Sequence, residues 1–196
     1  MSDDSDEYSE HDLQIIASVR IWLERSVVGL NLCPFARAPL LQERVRFRVS
    51  HATNVDTLLE DLCGELQSLQ AADPQDCETT LLIHPQVLGD FLDFNDFLDS
   101  ADAAIAVLHL EGELQIASFH PDYRFADSAA DDVGNCTNRS PYPILHLPRE
   151  ASVERAVDSV SDPDDIPRRN IETLRNLGID RWNALWRDAG AEAKGE

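Results

Sequence analysis

The chain has 196 residues, 43% of them hydrophobic, and a formal net charge of −21. That length fits one domain with a core of fair size, and that charge sets the chain against phosphate backbones, so nucleic-acid binding is not expected. A single lysine, Lys194, stands against fifteen arginines, and this acidic, lysine-poor surface reads as a solubility adaptation.

Residues 1–11 are mostly Ser, Asp and Glu and are expected to form a disordered tail. Leu13, Ile16, Val19, Leu23, Val27 and Leu30 then recur at three- and four-residue steps, the period of an amphipathic helix that stops before Pro34. Val45–Val49 alternates apolar and basic residues, as a half-buried strand does. Val55, Leu58, Leu59, Leu62, Leu66 and Leu69 make a second helix, and Thr79–Ile83 is an apolar run short enough for a buried strand.

A third helix follows from Val87 to Leu108, with Asp90, Asp93, Asp96, Asp99 and Asp102 on its solvated face. Leu114 to Phe119 reads as a strand ending at His120, before Pro121. Residues 121–143 have no period and form a long irregular loop, of the kind usually kept for function. Ile144–Leu147 fits a fourth strand, and helices follow around Val153–Val160, from Pro167 to Leu177, and at Trp182 and Trp186, the last capped by Asp180.

Strands alternating with helices imply an α/β fold: a small single domain over residues 12–187, with a three- to four-stranded, mostly parallel sheet covered by helices. Residues 188–196 are expected to be a second disordered tail. The four cysteines, Cys33, Cys63, Cys77 and Cys136, show no C-x-x-C spacing, which excludes zinc-finger and thioredoxin-type motifs. No secretory signal or membrane-length apolar run is present, so a reduced cytoplasmic protein is expected, without membrane association and in an oligomeric state the sequence leaves open.

Three predicted strands end at histidines: His51, His84 and His120. In a parallel sheet these gather at the carboxyl edge, where α/β folds place their ligands. His84 and His120 are therefore candidate acid–base residues, and Cys33 is a candidate nucleophile lining the same site. His120 and Asp122 point to the same side of an extended segment. With His84 and His146 they make a candidate site for zinc or iron. The alternative is that these histidines cap strands by bonding to loop backbone. Cys33 can equally be a small hydrophobe packed against Phe35.

In the long loop, Arg139 with Asn138, Ser140 and Tyr123 forms a candidate fork for a carboxylate or phosphate, with Arg46, Arg48 and Arg149 available nearby. Arg139 can instead pair with Asp131 or Asp132 and pin the loop. No phosphate loop, nucleophile elbow or dinucleotide fingerprint is present.

The runs Trp22–Arg25, Gly29–Ala36, Thr79–Pro85, Asp93–Leu98, Ser118–Tyr123 and Thr137–His146 together resemble an uncharacterised bacterial family, domain of unknown function 1415, over roughly residues 12–180. The resemblance implies a single bacterial cytosolic domain and no particular activity. Cys136 stands where the family has an aromatic such as Tyr, which makes it a poor essential nucleophile. Two functions are thus expected to compete. One is an enzyme acting on a small anionic molecule in a histidine-centred, metal-assisted or acid–base pocket. The other is a non-catalytic protein-interaction module that uses the 121–143 loop and the C-terminal helices.

Overall fold

A computed structural model describes residues 8–158, 160 and 162–186. The expected tails at 1–7 and 188–196 lie outside these residues. Helix α1 (Glu10–Trp22) starts two residues inside the stretch expected as tail, because Ser9 and Asp12 form a reciprocal capping box. A π-helical turn, Leu23–Val28, continues it. Then come α2 (Arg37–Leu41), β1 (Val45–Val49), α3 (Val55–Ala71), β2 (Thr79–Ile83) and α4 (Phe91–Val107). These are followed by β3 (Ala117–Phe119), a 3-10 turn at Val133–Thr137, β4 (Ile144–Pro148), α5 (Glu150–Asp158), α6 (Ile166–Leu177) and α7 (Ile179–Trp186). Asp180 sits in the first turn of α7 and not at its cap.

The strands form one four-stranded sheet in the order β1-β2-β4-β3. It is mixed, which corrects the mostly parallel expectation. β1 and β2 are parallel, whereas β4 runs antiparallel to both of its neighbours, β2 and β3. The physical reason lies in the connection: parallel neighbours need a crossover, usually helical. Residues 121–143 carry no α-helix, so the chain turns back from β3 into β4 as an antiparallel neighbour. An isolated bridge between Leu114 and Arg149 lies in the same register, but the strand expected from Leu114 is continuous only over Ala117–Phe119. Because β4 is the only reversed strand, β1, β2 and β3 all point the same way.

Helices cover both faces. On one, α1 and the π-helical turn bury Ile15, Val19, Trp22, Leu23 and Val27 against Phe47, Leu81, Ile83 and Ile144. The buried stripe of α1 is rotated from the expected one, leaving Leu13 47% exposed, since burying the large indole of Trp22 gains more. On the other face, α3 and α4 bury Leu58, Leu62, Leu66, Phe94 and Ala101 against Leu82, Leu145 and Leu147. A third cluster packs Leu174 and Trp182 of the C-terminal helices onto Leu32 and Cys136. Cys77 lies in the loop between α3 and β2, and its side chain is buried against the α3–α4 layer. Among the described residues no helix is long and apolar enough to cross a membrane.

The π-helical turn ends in a tight approach. A side chain at Gly29 would place its Cβ 2.3 Å from the carbonyl oxygen of Arg25. Asn31 then takes a positive φ of 54° and redirects the chain toward Leu32 and Cys33. Gly64, inside α3, has nothing within 4 Å of its added Cβ. Gly29→Ala should therefore destabilise by about 1–3 kcal/mol through overpacking against backbone. Gly64→Ala should stabilise by about 0.5–1 kcal/mol. Urea denaturation of the two variants checks the opposite signs.

Candidate functional site

Successive strand residues face opposite sides of the sheet, and this alternation sorts the histidines. His84 extends the parity of Thr80 and Leu82, and His120 that of Ser118, so both emerge on the α4 side at the carboxyl edge. There they flank the Phe94 ring of α4, at centroid distances of 5.6 Å for His84 and 5.2 Å for His120. Both side chains are fully buried.

The turn before α4 supplies their partners. Leu88 takes a positive φ of 57°, and Asp90 caps α4 by accepting from the N–H groups of Leu92 and Asp93. His84 Nδ1 donates to the carbonyl of Val87 at 3.0 Å, and His120 Nε2 donates to that of Leu88 at 3.2 Å. His120 Nδ1 accepts the N–H of Asp122 at 3.0 Å. A carbonyl can only accept and an amide N–H can only donate, so these contacts fix both tautomers. The bare Nε2 of His84 is buried with no partner, at a cost of about 1–3 kcal/mol.

Burial is the largest influence on both rings and favours the neutral form. It pushes the His84 pKa down to about 4, with the neighbouring His120 adding to the shift. His120 is lowered as well, against the opposing pull of the Leu88 carbonyl, Asp122 and Asp90.

His146 is placed elsewhere. It pairs with Leu81 and Ala117 in the middle of the sheet and so faces the α1 side. With the Thr79 hydroxyl proton donated to Leu147 O at 2.9 Å, His146 Nε2 donates to Thr79 Oγ1 at 2.8 Å. Burial lowers its pKa to about 4. Cys33 joins His146 on this face, where both line one apolar pocket. Burial raises the Cys33 pKa and outweighs the Phe35 and Ala36 N–H groups aimed at its sulfur, so the thiol stays protonated.

The sheet thus separates Cys33 and His146 from His84 and His120. Among the described residues no three His, Cys, Asp or Glu side chains gather as a metal cluster. The expected set of His84, His120, Asp122 and His146 is split between two faces. His51, two-thirds exposed, lies 3.4 Å from Asp12 at the end of the edge strand.

The 121–143 loop is a built structure. Arg139 donates through Nε to Tyr123 O at 3.2 Å and through Nη2 to Ala130 O at 2.7 Å, and its own carbonyl accepts from Trp22 Nε1 at 2.9 Å. It therefore pins the loop through carbonyls, not through Asp131 or Asp132. Asp132 instead accepts from the Gly134 N–H and from Arg175 at 3.0 Å, and these lower its pKa in that order. Asn138 donates to Ser118 O, and Ser140 donates to Tyr142 O, so both turn inward. The Tyr123 ring stacks edge-on against Phe91 and Phe125.

The expected basic neighbours are also distributed. Arg46 and Arg48 reach Glu65 from the edge strand farthest from β3, and Arg149 donates to the carbonyls of Leu69 and Ala72 at the end of α3.

Between the start of α4 and the loop, at the carboxyl edge, lies a cleft of about 300 Å³ lined by Gly89, Asp90, Asp122, Arg124 and Arg139. Arg124 has no hydrogen-bond or ion-pair partner among the described residues. Sequence reading passed over Arg124, although it adjoins Tyr123, and over Phe94, which looked like one more position of a helical stripe. Thr79 was hidden in the same way, as one residue of a buried strand.

The chain matches the family described as Protein of unknown function (DUF1415) over residues 14–184, and it belongs to that family. No curated protein and no solved structure matches it.

The depressed His84 pKa makes stability depend on acid. Unfolded, the ring titrates near 6.5; folded, it stays neutral until about pH 4. Below pH about 6.5 the unfolded chain binds the extra proton, so stability falls as pH drops. His84→Gln removes this contribution. Its deficit relative to wild type should shrink by on the order of 2–3 kcal/mol between pH 7 and pH 4.5. Urea denaturation at both pH values measures it, and a constant deficit would contradict the burial assignment.

Proposed function

We propose that this member of the DUF1415 family binds a small carboxylate- or phosphate-bearing molecule in the carboxyl-edge cleft, with His120 as the acid–base group beside it. The observation that carries the reading is the unpaired guanidinium of Arg124, which lines the same cleft as Arg139. In a chain of net charge −21, carboxylates abound to neutralise an arginine. Two guanidinium groups at one concavity, with one left unpaired, suit a bidentate anionic partner. Asp90 and Asp122 line the same cleft, Asp90 accepts the α4 cap through Oδ1, and neither carboxylate pairs with Arg124.

Phe91 and Leu92 supply an apolar wall, and the Tyr123 ring packs edge-on against Phe91. Asn138 and Ser140 act as the frame of the loop, not as ligand contacts, and His84 backs the His120 ring through Phe94. Cys33 and His146 take no part, because the sheet stands between. Both nitrogens of His120 are engaged by backbone. Proton transfer therefore begins when a ligand at Asp122 displaces its N–H from Nδ1. The interaction-module reading has less support: the apolar residues Leu174 and Trp182 of the C-terminal helices are spent on Leu32 and Cys136.

Titration of the full chain with inorganic phosphate and with succinate, followed by calorimetry and by imidazole nitrogen resonances, tests this. Saturable binding should shift the His120 nitrogens and leave those of His146 unmoved. Arg124→Gln should weaken binding about 10- to 100-fold with an unchanged melting temperature. Absence of saturable binding for both anions up to about 10 mM would overturn the proposal.

A further inference from the structure

The pocket shared by Cys33 and His146 is independent of the carboxyl-edge cleft. It lies on the opposite face of the sheet, between β2–β4–β3 and the π-helical turn. Its walls are almost wholly apolar, with Trp22, Val27, Phe35 and Phe119 among them, and it has a volume of about 40 Å³. One water needs only about 10–15 Å³ by the same measure, together with two to four polar partners. The pocket is therefore roomier than a single water requires and offers water too few partners. An unfilled apolar concavity of this kind forfeits dispersion contacts along its walls.

The surroundings explain why it persists. The π-helical turn Leu23–Val28 widens the helix above it, a distortion frequent at functional sites. Gly29 and the positive φ of Asn31 then swing Cys33 back over the sheet. The polar atoms are few and defined. Thr79 is committed to Leu147 O and to His146 Nε2. That leaves His146 Nδ1 as a lone pair that no described residue meets. The Cys33 thiol adds a weak donor.

We propose that this pocket is a binding site for a small uncharged molecule that has an apolar body of a few carbon atoms and one O–H or N–H, donated to His146 Nδ1. The chemistry selects against the alternatives. An anion would meet a lone pair and no cation. An ammonium ion would have to be desolvated among aromatic and aliphatic walls, which costs far more than one hydrogen bond returns. A peptide side chain has no route in without its backbone, whose polar groups the walls cannot satisfy. The thiol and the neutral imidazole are here recognition groups; no covalent step is involved.

Two isomers separate the donor requirement from apolar partition: 1-butanol, which donates, and methyl propyl ether, which only accepts. Butyrate supplies the charged analogue. Amide and imidazole nitrogen spectra of the full chain are recorded during titration with each. With 1-butanol, saturable shifts should appear at Cys33–Ala36 and at Ile144–Leu147, and the His146 Nδ1 resonance should move as it becomes an acceptor. The ether should bind about fivefold or more weakly, as expected for one lost hydrogen bond. Butyrate should leave these residues unmoved.

His146→Phe should bind both isomers alike. Should that variant fail to fold, the Nδ1 resonance of the unmodified chain carries the same information. Equal affinity of the two isomers for the wild-type chain would overturn the proposal. So would shifts confined to other residues, or an unmoved Nδ1 at saturation.

Discussion

The structure depends on β4 lying between β2 and β3. This strand completes the ladders on both sides, and Ile144, Leu145 and Leu147 are fully buried, supplying apolar side chains to both faces. Without it β3 would have no partner, and α4 would cover an incomplete surface. Its reversed direction also leaves β1, β2 and β3 codirectional, so His51, His84 and His120 do reach one edge. The pleat then sends His84 and His120 to the α4 side, while His146 in β4 faces α1. One geometric rule, period-two alternation, divides the histidines into separate environments with separate chemistry.

Those environments share a physical signature. In each, burial keeps imidazole neutral, and backbone or hydroxyl contacts choose which nitrogen holds the proton. On the α4 side the rings are locked to the turn at Val87 and Leu88 and to Asp122, so any ligand that reorganises Asp122 also acts on His120. On the α1 side a lone pair is left facing an apolar space. The first arrangement suits a charged ligand approached by arginines; the second suits an uncharged one.

The arginine-rich, lysine-poor composition takes on a structural meaning in this light. Arg149 gathers the final carbonyls of α3, and Arg139 spans the 121–143 loop by holding Tyr123 O and Ala130 O. Arg139 uses two nitrogens of its planar guanidinium, Nε and Nη2, to tie two separated carbonyls, which a lysine ammonium does with less geometric definition, whereas Arg149 holds its carbonyls through Nη2 alone. An overall acidic protein thus uses these two arginines as internal clamps, while the exposed Arg155, Arg168 and Arg175 pair with carboxylates. Arg124, like Arg37 and Arg181, has no partner among the described residues, and it lines the carboxyl-edge cleft.

The sequence by itself determined the local elements. Val45–Val49 and Thr79–Ile83 are strands with the bounds their patterns predict, and the α3 and α4 stripes bury Leu58, Leu62, Leu66, Phe94 and Ala101. Such features follow from period and from caps, which are written within a few residues of each other. The sequence also marked residues 121–143 as more than a linker. Only the tertiary structure decided the strand order, the direction of β4 and the face on which each histidine emerges. A missing helical period in 121–143 was the one local sign that β3 and β4 are joined without a crossover. The meeting of Cys33 with His146, and of Arg124 with Arg139 at the start of α4, joins residues far apart in the chain or hidden in a structured loop. Such meetings are fixed by packing between layers, a long-range property that no window of sequence contains.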